Sequence, residues 1–91
     1  MKLFKMDNDD THRYFQNKER SEERLLFREA KKLLSENESF TLKEEKKLPY
    51  VDCVYFKYGS DDIILAMDMN DGAYLQSDSL EALEAAERLL E

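Results

Sequence analysis

Residues 50–76 hold short apolar runs rich in β-branched and aromatic residues and broken by turn residues, and apolar residues recur every third or fourth position on either side of that stretch. The first pattern predicts strands and the second predicts helices. Val51–Tyr58 is rich in β-branched and aromatic residues, as strands are. Gly59-Ser60 follows, with Gly at the first central position of a two-residue type II′ turn. That turn sets a register in which Tyr58 faces Asp61, Lys57 faces Asp62, Phe56 faces Ile63 and Val54 faces Leu65. Apolar then meets apolar and cation meets anion, which cross-strand pairing rewards. Ile63–Met69 is the second strand of this meander. Asn70-Asp71-Gly72 suits a three-residue turn with Gly in the left-handed position. Ala73–Gln76 is the third strand, with Leu75 expected beside Met67.

The same register divides side chains between two faces. Val54, Phe56, Ile63, Leu65, Met67, Met69 and Leu75 form a face for helices to cover. Val51, Cys53, Tyr55, Lys57, Asp62, Ile64, Ala66, Asp68 and Tyr74 form the other. A slip of one residue would exchange the two sets.

Leu26, Phe27, Ala30, Leu33 and Leu34 mark one face of a helix that begins at Glu19 or Ser21 and ends at Ser35. Glu22 and Glu23 fall in its first turn and Lys31 and Lys32 in its last, an order that complements the helix dipole. Leu80, Leu83, Ala86, Leu89 and Leu90 mark a second helix over 79–90. Asp78-Ser79-Leu80-Glu81 reads as its capping box, with Asp78 as N-cap. The rest is less regular. Met1–Lys5 reads as a short strand or an ordered tail, residues 7–11 as a loop or a helix entry, and Tyr14-Phe15 as a short helical turn. Phe40-Thr41-Leu42 reads as a strand, and Lys43–Lys47 as a solvated edge strand or hairpin tip. Pro49 can open a strand but cannot sit inside a central one.

Ninety-one residues make one small domain. The pattern implies an α+β fold: an antiparallel sheet of three to four strands, with a long N-terminal helix and a C-terminal helix packed on one of its faces. No uncharged run approaches the ~20 residues of a membrane span. The first ten residues lack the apolar stretch of a signal peptide, so a cytoplasmic location is expected. Cys53 is the single cysteine, forms no internal disulfide and is expected to be a buried small hydrophobe.

Candidate chemistry is sparse. His12 is the single histidine, is expected to face solvent, and nothing in the sequence places it beside Cys53 as a nucleophile pair would require. Asp68–Gly72 glances at a calcium loop, but Gly is fifth rather than sixth and Ser79 stands where a Glu is needed. Asp61 and Asp62 lie in a tight turn, a poor place for paired acid–base carboxylates. No catalytic residue, cofactor or metal is therefore expected. Nucleic-acid binding is disfavoured as well, because the cations of residues 13–32 alternate with acids and leave little net field for phosphates.

What remains is charge. Residues 1–49 carry 12 Lys/Arg against 11 Asp/Glu, whereas residues 50–91 carry 2 against 10. The whole net charge of −7 thus resides in the C-terminal part, with tyrosines interleaved among aspartates. Such a surface attracts basic proteins and repels phosphate. Tyr55, Asp61, Asp62, Asp68, Asp71 and Tyr74 are the expected partner-binding residues, the tyrosines serving as anchors. The acidic, tyrosine-bearing stretch YVDCVYFKYGSDDIILAMDMNDGAYLQSDS, with the layout around it, resembles small acidic immunity proteins of bacterial toxin systems such as contact-dependent inhibition. That resemblance implies a cytosolic, non-enzymatic protein that binds one cognate toxin, often a basic nuclease, and blocks it. Two alternatives stay open: an inhibitor or nucleic-acid mimic from a phage–host conflict, and an accessory or oligomeric structural subunit. The free protein is expected to be a monomer or weak homodimer.

Overall fold

The computed structural model describes residues 1–16, 19 and 21–91. The chain runs β1 (Leu3–Phe4), β2 (His12–Phe15), α1 (Glu22–Glu36), β3 (Phe40–Lys47), β4 (Val51–Tyr58), β5 (Asp61–Asp68), β6 (Gly72–Gln76) and α2 (Leu80–Leu90). All six strands join one antiparallel sheet in the order β1-β2-β6-β5-β4-β3. The class is α+β as expected, but the sheet has six strands rather than three or four. The long helix is not the first element either: a hairpin precedes it, and α1 crosses from β2 to the far edge at β3. The meander β3–β6 then returns to pair with β2.

The β4–β5 register is the one the Gly59-Ser60 turn dictates, from Tyr58 opposite Asp61 to Val54 opposite Leu65. Gly59 has φ +63°, the left-handed value that position of a type II′ turn needs. The β5–β6 register differs from expectation by two residues. Leu75 lies opposite Leu65, and Met67 opposite Ala73. The cause is Asp68, whose Oδ1 accepts hydrogen bonds from the backbone N–H groups of Asn70 (2.7 Å) and Asp71 (3.1 Å). The connection is therefore Met69-Asn70-Asp71, with Gly72 at φ +78° directly opposite Asp68. A shift of two preserves the faces. Met69 alone leaves the inner face, for the turn, where it is 61% exposed.

Tyr14 and Phe15 belong to a strand, not to a helical turn. His12, Arg13 and Tyr14 pair with Gln76, Leu75 and Tyr74 of β6, and Phe15 continues the alternation. Residues 43–47 form the outer part of edge strand β3, exposed and bulged between Leu42 and Glu44. A bulge and three lysines are devices that discourage edge pairing. At the opposite edge, the Leu3 N–H donates to Glu91 Oε1 and the Met1 amine to the Leu90 carbonyl, which ties β1 to the end of α2.

Both helices cover the inner face. Phe27, Ala30 and Leu34 of α1 and Ala82, Leu83, Ala86 and Leu90 of α2 pack on Phe15, Val54, Phe56, Ile63, Leu65 and Leu75. Buried Arg13 stands among them, its Nη1 donating to the His12 carbonyl at 2.9 Å and its Nε 3.6 Å from Glu87 Oε2 on α2. Helix α1 runs one residue past Ser35, and its last turn holds no basic residue, so Lys31 and Lys32 lie before it. Lys31 instead pairs with Glu45 on β3. The N-cap of α2 is Ser79, not Asp78. Of the alternating charges at 13–32, Lys18 and Arg20 lie outside the described residues.

Candidate docking face

Among the described residues no helix covers the second face of the sheet. Pairing aligns side chains there in cross-strand rows. One row holds Tyr55, Ile64, Gln76 and His12, and the next holds Cys53, Ala66, Tyr74, Tyr14 and Phe4. Within these rows four rings form a continuous stripe. Phe4 lies 5.8 Å from Tyr14, Tyr14 lies 5.7 Å from Tyr74, and His12 lies 5.8 Å from Tyr14 and 5.5 Å from Tyr74. These separations are typical of interacting aromatic pairs. Ala66 is buried between its neighbours Cys53 and Tyr74 although no helix reaches it. Cys53 lies on this face as the register predicts, but it is half-buried, which corrects the expectation of a buried small hydrophobe. His12 is likewise half-buried among rings rather than solvent-facing.

Carboxylates surround the stripe. Asp9 anchors one side: Thr11 donates to its Oδ1 through N–H (3.0 Å) and hydroxyl (2.9 Å), and His12 Nδ1 lies 3.1 Å from Oδ2. These contacts, the Thr11 N–H foremost, hold the Asp9 carboxyl down at about 2. Asp68, the last residue of β5, and Asp71, in the β5–β6 turn, stand on the other side. The phenols of Tyr14 and Tyr74 are both pushed up. Burial is the main cause, followed by Asp9 and Asp71 for Tyr14 and chiefly by Asp68 for Tyr74.

The six expected partner-binding residues separate into three groups. Tyr74, Asp68 and Asp71 come together at the stripe. Tyr55 and Asp62 lie on the same face but are engaged by cations: Lys46 Nζ lies 5.6 Å from the Tyr55 ring centroid, and Lys57 Nζ lies 2.6 Å from Asp62 Oδ1. Asp61 belongs elsewhere. It shares the parity of Ile63 and Leu65, and its Oδ2 accepts a hydrogen bond from Ser79 Oγ at 2.9 Å, beneath the start of α2. Phe4, His12 and Tyr14 were not expected at the site. The alternation His12-Arg13-Tyr14-Phe15 is their signal, but four residues are too few to separate a strand from a helical turn.

Concavities also flank the sheet. A cleft of about 700 Å³ at the end of the sheet is bordered by Leu48, Tyr50 and Met69, with Arg24 Nη1 4.0 Å from Asp52 Oδ2 at its wall. A hollow of about 320 Å³ beside the stripe is lined by Phe4, Met6, Tyr14, Phe15, Gln16 and Asp71. Among the described residues no group of three or more His, Cys, Asp or Glu is placed to hold a metal ion, and no helix is long and apolar enough to cross a membrane. Comparison with protein-family models, with curated proteins and with solved structures returns no match.

Proposed function

We propose that this chain is a non-enzymatic, cytoplasmic binding protein that docks a basic protein partner on the uncovered face of its sheet. The resemblance in its acidic stretch supplies the class, an immunity protein that neutralises a cognate toxin, and a basic nuclease suits the charge. The observation that carries the reading is the stripe Phe4–Tyr14–Tyr74 with His12, left without a covering helix and bounded by Asp9, Asp68 and Asp71. Tyrosines are effective interface anchors because they bury large apolar area while keeping one polar tip. The acids of α2 add to the negative field from the far side of the domain and so act on encounter rather than on contact. A nuclease active site is cationic because it holds phosphates, so a protein that occludes one is best served by an anionic, aromatic surface. The guarded β3 edge argues against a subunit that assembles edge to edge.

The test uses the partner captured from the native host by the intact protein. Association is timed over a range of salt, and the partner's activity is followed with increasing inhibitor. The on-rate should fall steeply with salt, because screening acts on long-range steering, and inhibition should be stoichiometric. Asp68→Asn with Asp71→Lys should slow association and weaken binding while the domain stays folded, since Asn keeps an oxygen acceptor for the Asn70 and Asp71 N–H groups and Asp71 is exposed in the turn. Salt-independent binding together with an unaffected double variant would reduce the acids to a solubility feature.

A further inference from the structure

Resting on the docking proposed above, the chemistry of the stripe selects one kind of side chain. Rings on the open face of an antiparallel sheet make a flat platform, and such platforms accept flat groups. A nucleobase is flat but arrives with its phosphate, which Asp9, Asp68 and Asp71 would repel. The guanidinium of arginine is also flat, and it is cationic. It stacks on aromatic faces and forks onto carboxylates, whereas a lysine ammonium offers a point charge without a plane.

One position in the structure offers both complements together. The hollow of about 320 Å³ beside the stripe is lined by Phe4 and Tyr14 together with Gln16 and Asp71. Tyr14 is fixed there by Phe4 at 5.8 Å on one side and Tyr74 at 5.7 Å on the other, so its ring presents a set orientation. Asp71 is exposed at the turn, and among the described residues it has no ion-pair partner, in contrast to Asp62 with Lys57. We propose that this hollow receives an arginine side chain of the protein partner, its guanidinium lying against Tyr14 and donating to Asp71. Arg13, the arginine nearest in sequence, cannot serve as an internal occupant. It is buried on the opposite face, against Glu87.

The experiment titrates the intact protein at low salt with nona-arginine, with nona-lysine of equal charge, and with a single-stranded oligouridine. Affinity is measured alongside the ring and amide resonances of the protein. Nona-arginine should bind roughly two- to fivefold more tightly than nona-lysine, the increment of a cation–π contact at a partly exposed ring. It should shift the rings of Phe4 and Tyr14 and the Asp71 amide ahead of Tyr50, which lies at the separate cleft. Tyr14→Leu should remove the preference and Asp71→Asn should weaken nona-arginine more than nona-lysine. Asp71→Asn alters only a surface turn, so the test stands even where Tyr14→Leu fails to fold. Equal binding of both peptides with shifts at Asp68 and Asp71 would overturn the arginine site while leaving basic docking intact. Absence of any shift on this face with either peptide would overturn both, and so would tighter binding of the oligonucleotide at the same rings.

Discussion

Asp61 lies in the acidic run yet serves the helix, and this makes a sharp forecast. Its carboxylate holds the Ser79 hydroxyl at 2.9 Å, and the same Oγ accepts the Ala82 N–H at 3.1 Å. Asp61 thus orients the hydroxyl that caps α2, whose Ala82, Leu83, Ala86 and Leu90 close the core. Loss of a hydrogen bond to a charged acceptor costs about 1.5 kcal/mol at a half-buried site. For a domain of this size each kcal/mol moves the melting temperature by about 4–8 °C, so Asp61→Ala should melt about 6–12 °C lower. Ser79→Ala removes the cap itself and should cost about 1 kcal/mol or slightly more. Asp61→Asn keeps an oxygen acceptor and should fall between Asp61→Ala and the native protein. Because both alanine variants break one chain of contacts, their effects should not add, with a coupling of at least ~0.5 kcal/mol in a double-mutant cycle. Thermal and urea melts supply these values, and nona-arginine titration supplies the second readout. Asp61→Ala should reduce peptide affinity less than Asp71→Asn does, since Asp61 turns toward the helices. If Asp61→Ala melts with the native protein, or weakens the peptide as much as Asp71→Asn, the assignment of Asp61 to the cap is wrong.

Three other outcomes test the rest of the structure. The Asp9 carboxyl is held at about 2 against an ordinary value of 3.8, so its stabilising contribution is complete above 3.8 and disappears as pH falls through about 2; Asp9→Asn should lose less stability across that interval than the native protein in melts at stepped pH. Leu65 is fully buried at the sheet centre, and Leu65→Ala should cost about 3–5 kcal/mol in urea unfolding, a large share of the ~5–14 kcal/mol such a domain possesses. Arg13→Ala loses the aliphatic stem as well as the Glu87 contact, so it should be destabilised more than Arg13→Met by about 1–2 kcal/mol, and equal urea midpoints would refute a packing role.

The elements most legible in the sequence are those whose information is local. The β4–β5 hairpin was readable residue by residue because Gly59-Ser60 permits a two-residue turn, and such a turn leaves one register. The helical stripes of α1 and α2 were readable because each spans three turns or more. The β5–β6 pairing was readable only in parity. Its three-residue connection could begin at Met69 or at Asn70, and the Asp68 side chain selects the first by binding two backbone N–H groups.

By itself the sequence determined the α+β class, the two faces of the meander, and the accumulation of negative charge after residue 49. Tertiary structure alone decided which rings meet. Strand β2 exists because His12, Arg13 and Tyr14 find Gln76, Leu75 and Tyr74 some sixty residues away, and a four-residue segment carries no period strong enough to announce that pairing. That one pairing adds Tyr14, His12 and, through β1, Phe4 to Tyr74, and so converts an isolated tyrosine into a stripe. Asp61 is likewise drawn from the acidic surface to the helix cap by Ser79, distant from it in sequence. Side-chain alternation along a strand fixes a residue's face, but the neighbours it meets on that face depend on contacts distant in sequence.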